Sequence, residues 1–449
     1  MVLVFDWITI ILSTIIFVNP VGKIKKTVGY IIYYVFWIYY VLPLYLDCLV
    51  SPMQYYQRSN IKFAIYQNDA TTRIIYDIVL LIIQVTIVLT CRKYERLDNY
   101  WFENLEPIII EKGNLRNMLS LGMISAIVTT ILLPMDNRIL FYFQWRESYV
   151  PRSSTGLYFS IEKLSYIAVT CALILIFSEI KEASGRKFFT ISIYSLCLFM
   201  SICAEGKRSI TFYTIIVFCI LYVYDYIATK RAEENGEGLR INFVKAFSVI
   251  IISLVAIAII YVMSVYVNIK RGIDFSTASN IYTSLRIELF RDDRVRMAIY
   301  SLIYPSKLKI IDYPFQTLFT GFLNIFPLDI VFGKLGVALY EYTDYISVSL
   351  GGWNIDDIGV MMTPTILAEF ISNLHIFGII AFILMTKWFI HRIEINRYPY
   401  NIFLVLCYLL IQIYSTVYMM YFIQFTFTIM LIDKYAKRDV LLTINGKEV

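Results

Sequence analysis

Apolar residues in this chain come in long unbroken runs rather than in the every-second-residue alternation of a half-buried strand. Runs of spanning length fall near residues 2–18, 28–50, 74–90, 117–135, 161–178, 188–204, 209–228, 246–267 and 363–385. A helix needs roughly 20 such residues to cross the hydrocarbon core of a bilayer, so each run predicts one crossing. Residues 400–432 are too long for a single crossing and read as two short helices turning near Ser415. The pattern predicts an all-α polytopic membrane protein with about 11 transmembrane helices, forming one integral membrane domain over residues 1–449. The run from Val2 has no basic stretch before it and no small-residue cleavage site after it, and reads as a retained first helix rather than a signal peptide.

Composition agrees with the pattern. The chain is 59% hydrophobic and only 16% charged, with a mean hydropathy of +0.65. A soluble surface needs more charge than that, and a secreted disulfide scaffold, a coiled coil and a disordered chain are all excluded. The seven cysteines lie inside or at the ends of apolar runs with no CxxC pair, so neither disulfides nor a structural zinc is expected. The net charge of +6 says less than its placement. Taking loops alternately, residues 19–27, 91–116, 179–187, 229–245, 386–399 and the tail from Asp433 hold 22 Lys and Arg, against 9 in the short loops 51–73, 136–163 and 205–208. Lys and Arg concentrate in cytoplasmic loops, so the first set is assigned to the cytoplasm. The N-terminus and the long segment 268–362 are then external.

Segment 268–362 is rich in Tyr, Leu and Ile and is broken by proline, which suggests short helices lying on or dipping into the membrane surface. Its charge is polarised. Residues 268–309 carry eight basic and four acidic side chains, and residues 310–362 carry one basic and six acidic. Charge is costly near a bilayer, and three external basic clusters therefore attract attention. They are Lys207-Arg208 in a tight turn between two runs, Lys270-Arg271 at a helix exit, and the amphipathic stretch Leu285–Arg296, which contains Arg291 and Arg294. Lys207 and Lys270 could equally be snorkelling interfacial residues. The Asp292/Arg296 and Glu288/Arg291 spacings could be ordinary surface pairs. An arginine in a four-residue external turn calls for an anionic partner more strongly. Guanidinium groups bind phosphate in bidentate fashion, so several around one site would hold a diphosphate without a metal.

The ninth run adds a second constellation. Asp356 and Asp357 precede it, Pro364 is expected in the first helical turn, and Thr365, Glu369 and Asn373 recur at every fourth position on one face. Glu369 could serve chemistry near the external surface or could be a buried structural partner of a basic residue such as Arg208. His375 reads as a packing residue deeper in the helix, and His391 falls in a cytoplasmic loop.

In this combination the chain resembles the bacterial oligosaccharide repeat-unit polymerases of the O-antigen type, which are similar in layout to the O-antigen ligases. The pieces that carry the resemblance are Gly206-Lys207-Arg208-Ser209, Lys270-Arg271-Gly272, Arg291-Asp292, and Thr363-Pro364-Thr365 with Glu369, Asn373 and Gly378. The resemblance implies a GT-C-like glycosyltransferase of lipopolysaccharide or related surface-polysaccharide synthesis. It would sit in the bacterial inner membrane with its active site facing the periplasm. Its substrates, donor and acceptor alike, would be oligosaccharides on undecaprenyl diphosphate, with a chain-length regulator and a flippase as further partners. Arg208, Arg271 and Arg291, supported by Lys207, Lys270 and Arg294, would stabilise the departing diphosphate. The related ligases are expected to have a histidine near the start of the segment leading into the Thr-Pro helix, and this chain has none there. Asp357 and Glu369 are the candidate general bases. No cofactor, metal or nucleic-acid partner is expected. A lipid-linked oligosaccharide flippase or other exporter is the alternative, although the long external segment counts against an even series of hairpins. A secondary transporter would show inverted repeats, which the chain lacks.

Overall fold

A computed structural model of the chain describes residues 2–18, 20, 23, 27, 29–49, 69–95, 290–323, 340–351, 364–395 and 400–415, with isolated positions at 124, 127, 261, 262, 265 and 269. Every regular element among them is helical. The chain packs as two units. One comprises Met1–Glu103, Tyr149–Ser154 and Asp274–Phe422, and the other Asn104–Ser148, Thr155–Ile273 and Ile423–Val449. In the second unit the described positions are helical, at 124, 127, 261, 262, 265 and 269. The elements below all belong to the first.

That unit opens with α1 (Val2–Val18) and α2 (Gly29–Phe36), which runs through a π-helical turn at Trp37–Val41 into α3 (Leu42–Leu49). The long α4 (Ala70–Glu95) follows. After it come α5 (Asp292–Ile303), α6 (Gln316–Leu323), α7 (Tyr342–Gly351), α8 (Ile366–Leu374), α9 (Ile376–Ile395) and α10 (Tyr400–Tyr414). Among the described residues, Gly29–Asp47, Ala70–Glu95 and Ile376–Ile395 are long and apolar enough to cross a membrane, and α1 is apolar but shorter. Most of the runs at 117–135 and 246–267, all of those at 161–178, 188–204 and 209–228, and the stretch beyond Ser415 lie outside the described residues.

The helices are amphipathic in the sense opposite to a soluble bundle. α1 exposes Val4, Trp7, Ile11 and Ile15 and buries Asp6, Thr9 and Ser13. α4 exposes Ile78, Ile82, Val85 and Leu89 and buries Asp77 and Gln84. The polar groups are paired inside: the Gln84 amide nitrogen donates to Ser13 Oγ at 2.9 Å, and the Tyr33 hydroxyl donates to Gln84 Oε1 at 3.3 Å. An apolar exterior over a hydrogen-bonded interior is the arrangement that lipid favours, because lipid offers polar groups no partner. The N-terminus of α4 is fixed locally by Asp69, whose carboxylate accepts the Thr72 N–H at 2.8 Å and the Thr72 hydroxyl at 2.7 Å, as an N-cap does for the unsatisfied N–H groups of a helix start.

Polar contacts gather at the two ends of the described helices. At one end Lys23 lies 3.5 Å from Glu95, the Gly29 N–H donates to Glu394 Oε1 at 2.6 Å, and Tyr30 bonds Glu95. Segments 19–27, 91–116 and 386–399 thus begin or end together. The opposite end gathers Asp6, Arg73, Asp69 and Tyr304, with Arg73 paired to Asp6 and the Tyr304 hydroxyl donating to Asp69 at 3.2 Å.

Four sequence expectations are corrected here. The ninth run is two helices, α8 and α9, broken at His375, which has φ 55° and ends α8. A positive φ is a conformation that side chains with a Cβ avoid, so the packing of both helices has to hold it in place. His375 is consequently exposed at the break rather than packed within a helix, and His391 lies inside α9 rather than in a loop. Pro364 precedes the N-cap Thr365 and is not in the first turn. α10 ends at Tyr414 and Ser415 has φ 58°, while the second helix expected after it lies outside the described residues.

Candidate functional site

The site begins with a proline. Pro43 has no N–H to return to the preceding turn, and α2 passes into α3 through a π-helical turn at this point. The Tyr39 carbonyl, one turn before Pro43, accepts the backbone N–H of Arg291 at 3.1 Å. The Tyr40 carbonyl accepts the Tyr76 hydroxyl at 2.7 Å. An interruption in the second apolar run therefore anchors the start of α5 to α2 and α4.

From that anchor α5 carries its charges inward. Asp292 and Arg296 are 0% and 1% exposed, and their side chains lie 3.7 Å apart one turn along the helix. Asp47 at the end of α3 approaches the same guanidinium at 3.9 Å, and the guanidinium stacks 4.7 Å from the centre of the Tyr76 ring. Asp77, also buried, interacts electrostatically with both Asp6 and Arg296, with opposite signs. Arg294 lies 3.2 Å from Asp293. Arg291 caps α5 and turns its Nη1 onto the Phe290 carbonyl at 2.8 Å. The Asp292/Arg296 spacing, expected as an ordinary surface pair, is thus an interior ion pair. Leu285–Arg296 is also not one described helix: α5 begins at Asp292, and residues 285–289 are outside the described residues. Carboxylates at the first turn of α5 lie where the helix dipole favours negative charge.

α5 packs against α8, the Thr-Pro helix. Thr365, Glu369 and Asn373 share one buried face, as their spacing predicts. Together they tie α8 to the turn at Tyr40, to α6 and to the end of α10. Thr365 bonds the Tyr40 hydroxyl, which also donates to Gln412 of α10 at 2.8 Å. Glu369 accepts the Thr317 hydroxyl of α6 at 2.8 Å and the Ser415 hydroxyl that follows α10. Asn373 accepts the Thr317 N–H at 3.2 Å and donates to Thr317 Oγ1 at 2.7 Å, which satisfies a helix-start donor that would otherwise be orphaned. Tyr342 of α7 meets Ser372 at 2.8 Å. Burial holds the Tyr342 phenol protonated well above its usual range, and the charge of Glu369 adds to this. Tyr345, bonded by Gln316, is raised by burial and by Asp312 and Asp344. At the surface the Lys309 ammonium is stabilised by its 2.8 Å pair with Asp312, which raises its pKa.

Of the residues singled out in the sequence, Arg291, Arg294 and Glu369 are brought into this one region. Lys207, Arg208, Lys270, Arg271, Asp356 and Asp357 lie outside the described residues. Sequence reasoning passed over Asp6, Asp47, Arg73, Tyr76 and Asp77, and weighed Arg296 only as one half of a surface pair. The signal was available: most are ionisable groups within or beside spanning runs, and Pro43 interrupts one of those runs. Among the described residues no three His, Cys, Asp or Glu side chains group as metal ligands. The chain matches no family model, no curated protein and no solved structure.

Proposed function

We propose that the chain is a membrane glycosyltransferase that polymerises undecaprenyl-diphosphate-linked oligosaccharide repeat units on the outer face of the bacterial inner membrane. The observation that carries this reading is the packing of the arginine-bearing start of α5 onto the Thr-Pro helix α8. Two of the short pieces that resemble the O-antigen polymerases, some 70 residues apart in the chain, become one region rich in buried charge. Intramembrane and near-membrane ionisable groups are rarely kept without a task.

In the reaction an acceptor sugar hydroxyl attacks the anomeric carbon of the lipid-linked chain. The new glycosidic bond forms as the anomeric carbon–oxygen bond breaks, and undecaprenyl diphosphate leaves with the electron pair. Arg291 and Arg294, with Arg208, Arg271, Lys207 and Lys270, offset the charge that grows on that diphosphate. The hydroxyl proton passes to a carboxylate, with Asp357 and Glu369 as candidates. Glu369 is 0% exposed and already accepts hydroxyls from two other segments. That arrangement suits a positioning residue better than a base, and favours Asp357 for the proton.

The two roles separate experimentally. Arg291→Lys keeps a positive charge but loses the guanidinium fork, and is expected to lower chain elongation in cells by about 100-fold at unchanged membrane level. Glu369→Gln keeps the side-chain shape, and the Thr317 and Ser415 hydroxyls can reorient to it. Its elongation is expected to stay within about tenfold of the parent with the same pH profile, whereas loss of a base would cost 100-fold or more. Full elongation by Arg291→Lys would remove Arg291 from the diphosphate site.

A further inference from the structure

The end of the bundle away from α5 holds an open cavity of about 610 Å³ between the last turns of α4 and α9, lined by Thr86, Leu89, Thr90, Lys93, Tyr94, Lys387, Trp388 and His391. We infer that this cavity binds the phosphate headgroup of an anionic phospholipid. The inference needs only that α4 and α9 stand in a bilayer and is independent of the proposed polymerase activity.

Three observations support it. The first is charge sorting at the helix ends. The acids of these turns, Glu95 and Glu394, face segment 23–30, where they meet Lys23, Tyr30 and the Gly29 N–H. Lys93 and Lys387 face the cavity, and neither has a carboxylate partner among the described residues. Two uncompensated ammonium groups with the Thr86 hydroxyl beside them make a donor set for a phosphate monoanion, while the Thr90 hydroxyl donates to the Thr86 carbonyl at 2.7 Å. The second is an apolar track leading out of the cavity. Leu89, Val85 and Ile82 on α4 and Leu384 and Ile380 on α9 are all exposed and lie successive turns farther from the lysines. A soluble phosphate has no use for such a track, and acyl chains do. The third is the height of the cavity. Trp388 and Tyr94 stand beside the lysines, and the Arg392 guanidinium lies 5.8 Å from the centre of the Trp388 ring. Aromatic and basic side chains grouped in this way mark the level of the headgroups, at the end that the Lys/Arg count assigns to the cytoplasm, where anionic lipid attracts basic groups.

The test uses the full-length protein purified in detergent, with lipid retention measured by native mass spectrometry. Phosphatidylglycerol is expected to be retained in preference to phosphatidylcholine, and millimolar inorganic phosphate is expected not to displace it. The double variant Lys93→Gln/Lys387→Gln, which alters only exposed side chains, should weaken phosphatidylglycerol retention by roughly tenfold. Lys309→Gln, at the other end of the bundle, should leave it unchanged. Equal retention of the two lipids, displacement by inorganic phosphate, an unaffected double variant or an equal loss with Lys309→Gln would each overturn the assignment.

Discussion

Arg296→Ala is expected to destabilise the protein by about 3–5 kcal/mol, among the largest effects of any single substitution in the described residues. The guanidinium is 1% exposed, lies 3.7 Å from Asp292 and 3.9 Å from Asp47, and stacks on Tyr76. Removing it leaves two carboxylates inside the protein with their shared cation gone, and an uncompensated buried charge costs far more than an exposed pair contributes. It also strips the Tyr76 ring of its cation, a contact of about 1–2 kcal/mol when desolvated. Arg296→Met fills the volume without restoring the charge, so it should recover little alone. Adding Asp292→Asn to it should recover a good part of the loss, because one of the carboxylates that lost this cation is then neutral. Thermal unfolding of the purified variants in detergent reads these differences directly. Equal stability of Arg296→Ala and the parent would mean that the cluster is not the interior ion pair described.

Gly378→Ala adds one methyl group and is expected to cost about 3 kcal/mol or more, at the upper end for overpacking. A Cβ at this position would stand 2.1 Å from the Phe370 carbonyl oxygen, 2.3 Å from its carbon and 2.6 Å from the Ile371 nitrogen. All three are backbone atoms of α8, which cannot rotate aside as a side chain would. Gly378 is what lets α9 leave the break at His375 and return against the helix it has just left. Because α8 bears Glu369 and Asn373, the displacement would reach the Thr317 and Ser415 contacts as well. Gly29→Ala is the fitting comparison. Its Cβ would meet only side chains, Ile390 Cγ2 at 2.9 Å, Cys91 Sγ at 3.1 Å and Glu394 Oε1 at 3.2 Å, which can give way more readily than backbone, so a cost of about 1 kcal/mol is expected. Membrane yield and melting temperature of the two variants test the contrast.

Gly378 also illustrates what the sequence could convey. It stood out there only as one piece of a resembling motif, and its physical reason, a backbone-to-backbone approach across a helix break, is a property of the fold. The break itself had no local signature, since His375 is neither glycine nor proline. The second and third apolar runs were legible because a spanning helix must be continuously apolar whatever it packs on, whereas the ninth run covers α8 and only part of the spanning α9. Which face of each run turns inward was less so. Asp6, Thr9 and Ser13, or Asp77 and Gln84, look like lapses in an apolar run until the neighbouring helices are in place. In the candidate site the Thr365, Glu369 and Asn373 face followed from helical periodicity alone. The burial of Asp292 and Arg296 did not, because an i, i+4 pair reads the same at a surface as in an interior. The start of α5 is tied to the turn at Trp37–Val41 by a hydrogen bond from the Arg291 N–H to the Tyr39 carbonyl, a contact between residues some 250 positions apart.

The central proposal is that the chain joins lipid-linked repeat units. Purified protein incubated with an undecaprenyl-diphosphate-linked repeat unit, with and without EDTA, tests it most directly. The expected products form a ladder spaced by one repeat unit, with one undecaprenyl diphosphate released per bond formed and no loss on chelation. Protein with an intact melting transition that yields no ladder, or that moves the lipid-linked unit across a bilayer without extending it, would contradict the proposal.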